Sequence, residues 1–123
     1  MILVDTSVWV DHLRTPNDHL TFLLENRGVL MHPFVIGEIA LGHLRRRDRV
    51  LLELQELPQA TVAADREVLI FIDRHQMAGR GIGYVDAHLL AAAKLTSRAS
   101  LWTRDNRLQH AADQLGLKPP LPH

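Results

Sequence analysis

Short apolar runs alternating with helix-periodic segments predict an α/β fold in three layers, a central parallel sheet with helices on both faces. Two further observations support this. The turn and cap signals fall between the runs rather than inside them, and no repeat, linker or low-complexity segment divides the 123 residues, which read as a single domain over 1–123. Ile2 to Val4 reads as a buried strand, followed by a short helix from Ser7 to about Leu13. Thr15-Pro16-Asn17-Asp18 is a helix start, with a capping hydroxyl, proline in the first turn and an acid near the positive pole. That helix carries Leu20, Leu23 and Leu24 and stops at Gly28. Val29 to His32 reads as the second strand, and Pro33 opens a helix expected to reach about Arg46. A helix from about Asp48 to Glu56 ends before Pro58, and Thr61-Val62 is a weak third strand. Asp65 to His75 is helical, Gly79, Gly81 and Gly83 form a flexible turn, and a helix runs from about Tyr84 to Leu95. Ser100 to Thr103 is the fourth strand, Asn106 to Gln114 the last helix, and Leu117 a candidate fifth strand before a Pro-rich end.

Composition narrows the function. Fourteen basic and fourteen acidic residues balance, so no global field draws the chain to a polyanion and any such partner must be held by a local patch. Cysteine is absent, which excludes thiol chemistry and disulfides and fits a reducing compartment. No apolar stretch reaches the roughly 18 residues of a membrane span, and no basic leader opens the sequence. A cytoplasmic protein with no membrane partner is the expectation.

Four carboxylates stand out from this background. Asp5 closes the first strand, Glu38 lies within Phe34-Val35-Ile36-Gly37-Glu38-Ile39-Ala40-Leu41, Asp86 opens an alanine- and leucine-rich helix, and Asp105 follows the fourth strand. On the helical stripe of Glu38 the neighbours three and four residues away are Phe34, Val35, Leu41 and Gly42; around Asp86 they are Ile82, Gly83, Leu89 and Leu90. Other acids have ordinary explanations: Asp18, Asp65 and Glu67 lie in first helical turns, and Glu53 faces Arg49. Each of the four also has a structural reading. Asp5, Asp86 and Asp105 sit where helix caps belong, and Glu38 is within reach of Arg45 or Arg46. The joint pattern is more specific, because ligands of a parallel α/β sheet gather beyond the carboxyl ends of the strands. Two carboxylates about 4 Å apart repel by ~4 kcal/mol at an effective dielectric near 20. Four together require protons or cations, and hard oxygen donors suit Mg²⁺ or Mn²⁺ better than zinc. The eight histidines show no metal-ligand spacing, and His43 and His88 read as packing or polar-face residues.

Together these residues resemble the PIN-domain ribonucleases, specifically the VapC toxins of prokaryotic toxin–antitoxin pairs. Ile2-Leu3-Val4-Asp5-Thr6-Ser7-Val8-Trp9 is similar to that family's first strand and acid, Val35-Ile36-Gly37-Glu38-Ile39 to its helical acid, Gly83-Tyr84-Val85-Asp86-Ala87 to its third, and Trp102-Thr103-Arg104-Asp105 to its fourth. The resemblance covers residues 1 to about 117. It implies metal-dependent endonucleolytic cleavage of RNA, with Asp5, Glu38, Asp86 and Asp105 catalytic and holding Mg²⁺ or Mn²⁺. Thr6 and Thr103 would support the ligands. The resemblance further implies a VapB-type antitoxin and a homodimer. Many relatives carry another acid two positions past the fourth; Arg107 stands there in this chain, so one ion is expected rather than two. The dense basic run Arg45-Arg46-Arg47, with Arg104 and Arg107, is the candidate contact for RNA or antitoxin, and Arg49, Arg80 and Lys94 could extend it.

Rival enzymes on similar sheets lack their signatures. The Asp-x-Asp of haloacid-dehalogenase phosphatases is replaced by Asp5-Thr6-Ser7, no phosphate-binding GxxxxGK[ST] occurs, and the region after Thr61-Val62 offers alanines where a receiver domain needs an aspartate. The non-enzymatic alternative is a catalytically degenerate PIN-like module that binds RNA or protein.

Overall fold

Ile2–Val4 (β1), Val29–Leu30 (β2) and Ser100–Trp102 (β3) form one parallel sheet in the order β2-β1-β3. The computed structural model describes residues 1–121; the last two residues of the Pro-rich end lie outside it. In register, Ile2 faces Val29 and Ser100, and Leu3 faces Leu30 and Leu101. Every one of these strand residues but Trp102 is buried, as expected of a sheet covered on both faces. The helices that cover it are α1 (Thr6–Arg14), α2 (Asp18–Glu25), α3 (Pro33–Ala40), α4 (Arg47–Gln55), α5 (Asp65–Arg74), α6 (Tyr84–Leu95) and α7 (Asn106–Gln114). The predicted three-layer α/β/α architecture is the one observed.

The ordered strands are shorter and fewer than the sequence suggests. Pairing beside β2 continues only as a bridge between Met31 and Gln59, where Met31 donates to Pro58 and accepts from Ala60. The expected strand at Thr61-Val62 therefore does not form: Val62 is exposed, and the Thr61 amide turns away to the Thr96 hydroxyl. On the other side Leu117 forms no strand, yet its carbonyl accepts from the Leu101 amide beside β3.

Two helix boundaries also move, each for an identifiable reason. The helix from Pro33 stops at Ala40 rather than near Arg46, because Arg47 reaches back to the carbonyls of Ala40 and Gly42 while Arg46 adopts a left-handed conformation (φ 53°) and starts α4. Thr15 closes α1 instead of capping α2; the cap is Asn17, whose side chain accepts from the Leu20 amide. Elsewhere the local signals hold. Pro33 occupies the first turn of α3, and Gly28 closes α2 through its amide to the Leu23 carbonyl.

The core joins Leu3, Val4, Val8 and Trp9 to Leu20, Met31, Val35, Leu89, Leu90, Leu101 and Leu108. Each fully buried leucine here contributes about 1.5–3 kcal/mol from burial. Trp9 packs in the core and Leu44 against it, as their composition suggests. The topology places function as well. From the central β1 the chain first goes to β2 on one side and later to β3 on the other, so a crevice opens past the carboxyl ends of β1 and β3.

Candidate active site

Asp5 follows β1 directly and is 7 % exposed. Its amide is held by the Trp102 carbonyl (2.9 Å), which ties the ends of β1 and β3 together. Its Oδ2 accepts from the Thr103 hydroxyl at 2.8 Å and the Ser7 hydroxyl at 2.9 Å. Hydrogen bonds to a charged acceptor are worth about 1.5–3 kcal/mol each, and these two fix the orientation of the carboxylate. No backbone amide of α1 uses the Asp5 side chain, so the capping reading of this residue fails.

The other acids arrive from three helices. Glu38 on α3 accepts from the Thr6 hydroxyl at 2.6 Å through Oε1, and pairs with neither Arg45 nor Arg46. Asp105 has a double use: Oδ1 caps α7 by accepting from the amides of Arg107 (2.9 Å) and Leu108 (3.1 Å), while its own amide donates to the Thr103 hydroxyl at 3.1 Å. Thr103 thus sits between two of the acids. Asp86 lies in the first turn of α6, with Gly83 as the cap residue. The expected apolar setting holds for Asp5 and the half-buried Asp86; Glu38 and Asp105 are exposed.

Asp86 lies within electrostatic reach of the other three acids. The Asp86 carboxyl is pushed up to about 6, first by burial and then by the negative charges of Asp5, Asp105 and Glu38, with the Gly83 backbone pulling weakly the other way. Among the described residues the ion pairs are Arg49–Glu53 and Arg104–Asp11, and His88 lies 3.1 Å from Asp65, so none of the four acids has a cationic partner. Nor, among the described residues, do three His, Asp or Glu side chains stand together as a group that could hold a metal ion. The donor set nevertheless fits a hard divalent cation. It is all oxygen, uncompensated, and Asp5, Glu38 and Asp105 each commit one carboxylate oxygen to the protein and leave the other uncommitted.

The supporting residues are thereby defined. Thr6 and Thr103 orient carboxylates, as their positions beside the acids suggest. Ser7, read in sequence only as the start of the first helix, belongs with them: its hydroxyl donates to Asp5 and accepts from the Arg104 amide at 3.0 Å. The Gln109 amide holds the Thr103 amide and the Leu101 carbonyl, both at 3.0 Å, a role no local pattern announces. Of the basic candidates, Arg47 is engaged at the end of α3 and Arg104 with Asp11 at 2.6 Å. Arg80 bonds Gln114 and Lys94 the Leu115 carbonyl. Arg45, Arg46 and Arg107 make no side-chain hydrogen bond or ion pair among the described residues.

The model of the PIN domain family matches residues 2–114. The chain belongs to the PIN domain family. Within it the chain is 47% identical over 117 residues to the protein named Ribonuclease VapC32 of Mycobacterium tuberculosis strains CDC 1551 and H37Rv, covering 95% of this chain and 94% of each relative. Its membership is therefore in the VapC group of PIN-domain ribonucleases, and all four acids lie within the matched span. Among solved structures, FitAcB from Neisseria gonorrhoeae aligns with a TM-score of 0.61 at 23% identity, covering 92% of this chain and 94% of that one. That likeness supports the PIN-like fold.

Proposed function

We propose that this PIN-domain chain is an endoribonuclease whose Asp5, Glu38, Asp86 and Asp105 hold one Mg²⁺ or Mn²⁺, directly or through its waters, and that it is the toxin of a VapBC-type pair. The observation that carries this reading is a half-buried Asp86, its pKa raised to about 6 first by burial and then by the charges of Asp5, Asp105 and Glu38, with no cation paired to any of the four. When bound, such an ion supplies an acidified water and neutralises charge on the scissile phosphate. The chain's own residues do the rest. Thr103 and Ser7 fix Asp5 so that its second oxygen stays available, and Thr6 does the same for Glu38. The α7 amides fix Asp105. Asp86 is the acid that gives up a proton near pH 6. Products ending in a 5′-phosphate and a 3′-hydroxyl follow from hydrolysis of this type.

Arg45 and Arg46, exposed beyond α3, and Arg107, at the start of α7, supply phosphate contacts that position RNA without reading its sequence. An antitoxin and a second copy of the chain would need apolar area to bury; Phe22 (62 % exposed), Leu52 (57 %) and Leu41 (90 %) offer it. The competing reading, a degenerate PIN-like binding module, rests on Arg107 standing where a second-metal ligand would be.

Incubation of the partner-free chain with total cellular RNA and Mg²⁺ tests the enzyme reading. Discrete products lost with Asp5→Asn and with EDTA are the expected result. RNA left intact by a chain that also fails to bind Mn²⁺ would establish the binding module instead.

A further inference from the structure

Glu38 and Asp86 stand on different helices, and neither carboxylate bonds to the other's helix. A line of aromatic rings connects those helices instead. His32, fully buried after β2, accepts from the Phe34 amide through Nδ1 at 3.0 Å and meets the Phe34 ring with centroids 5.1 Å apart. Phe34 continues edge-on to His88 at 4.7 Å and 63°, and His88 to Tyr84 at 4.7 Å and 89°. Phe34 lies one helical turn before Glu38, and Tyr84 and His88 bracket Asp86. His88 also touches α5: its Nε2 is 3.1 Å from Asp65 Oδ1, but off the line a hydrogen bond requires, while the Tyr84 hydroxyl donates to the same oxygen at 3.2 Å.

An imidazole is a costly way to fill this position. Leu89, Leu90, Ala91, Ala92 and Ala93 beyond it are all apolar and buried, and His88 Nδ1 is buried with no partner among the described residues. A leucine would pack there without an orphaned polar atom, so burial alone does not account for histidine. What the imidazole adds is a flat, rigid ring with Phe34 on one side and Tyr84 on the other.

We propose that His88 is a positioning residue: its ring, wedged between Phe34 and Tyr84, sets the separation of the helices that carry Glu38 and Asp86 and so tunes cation binding. The inference rests on the metal reading above. Mn²⁺ calorimetry on the whole chain, with thermal unfolding in EDTA beside it, tests it through His88→Leu, His88→Phe and Phe34→Leu. His88→Leu should weaken Mn²⁺ binding about tenfold, while His88→Phe, which keeps a ring, stays within about threefold of the unaltered chain. Phe34→Leu should weaken it as His88→Leu does, and the double variant should be hardly weaker than either. Phe34 is 37 % exposed, so that variant serves if His88→Leu fails to fold. Leu54→Ala, in the core on α4, should lower stability without changing affinity.

Unaltered affinity in His88→Leu and Phe34→Leu overturns the inference. So does a His88→Phe as weak as His88→Leu, which assigns the effect to Asp65, or an equal affinity loss in Leu54→Ala, which reduces His88 to packing. An unaltered chain that binds no Mn²⁺ overturns the metal reading, and this inference with it; binding by that chain with unchanged variants overturns the inference alone.

Discussion

Asp86 and His32 titrate over the same range with opposite consequences. The folded-state pKa of Asp86, about 6, lies above its ordinary 3.8, so the metal-free folded chain takes up that proton first and gains stability as pH falls from about 6 toward 3.8. His32 is lowered from 6.5 to about 4, by burial first and then by the charge of His88. The unfolded chain therefore takes up that proton first, and stability is lost as pH falls through the same window. Asp86→Asn removes a charge disfavoured first by burial and then by the neighbouring acids, and for a half-exposed carboxylate this is worth about 1–2 kcal/mol at pH 7.5 in EDTA, a rise of several degrees in Tm. It also leaves the His32 loss unopposed, so the variant should lose more stability between pH 6.5 and 4.5 than the unaltered chain. Thermal unfolding across pH checks both; a variant less stable at pH 7.5 would mean that neither burial nor the neighbouring acids disfavour the Asp86 charge. At this scale the sequence marked Glu38 and Asp86 by the apolar residues on their helical stripes, and Asp5 and Asp105 by their places just after strands, all visible without a structure. Ser7 and Gln109 were not legible in their site roles, since each acts through partners far along the chain or through backbone groups that no pattern exposes.

Among the elements, the turn that feeds α6 meets α7. Gly81 has φ +76°, and a Cβ placed on it would lie 2.5 Å from an Arg107 guanidinium nitrogen. Gly81→Ala should cost about 1–2 kcal/mol from the left-handed backbone alone. Arg107 must also move, but as the flexible, exposed end of a side chain it does so at little cost, so Gly81→Ala with Arg107→Ala should be about as destabilised as Gly81→Ala in denaturant unfolding; a clear recovery in the double variant would mean that the arginine is held in place there. Helix positions were largely readable because caps and breakers are local: Asn17, Pro33 and Gly28 act within a few residues of themselves. Strand extents were not, because pairing is decided by a neighbour. Thr61-Val62 has β-branched residues yet turns to Thr96, while Gln59, with no strand-like character, bridges to Met31. The end of α3 was missed for a similar reason, since it is fixed by the backward reach of Arg47.

For the molecule as a whole, zero net charge confines attraction for RNA to local cations. With Arg45 and Arg46 each releasing counterions from single-stranded RNA, replacing both with alanine should reduce the log–log salt slope of binding by about 1.4. An unchanged slope would move the RNA path away from this end of α3. The α/β architecture was legible because strands and helices alternate from the first residue, and its consequence, a crevice past β1 and β3, follows from the strand order. An antitoxin partner could be expected only through resemblance, since an exposed Leu41 shows that area is available and not what covers it. The most direct measurement is Mn²⁺ titration of the partner-free chain by calorimetry at pH 7.5 and pH 5. One ion bound at pH 7.5, with affinity falling about tenfold at pH 5 as a proton is released from Asp86, is the predicted result. No binding at pH 7.5, or binding unaffected by Asp5→Asn, would contradict the assignment of these four carboxylates to a metal-dependent ribonuclease site.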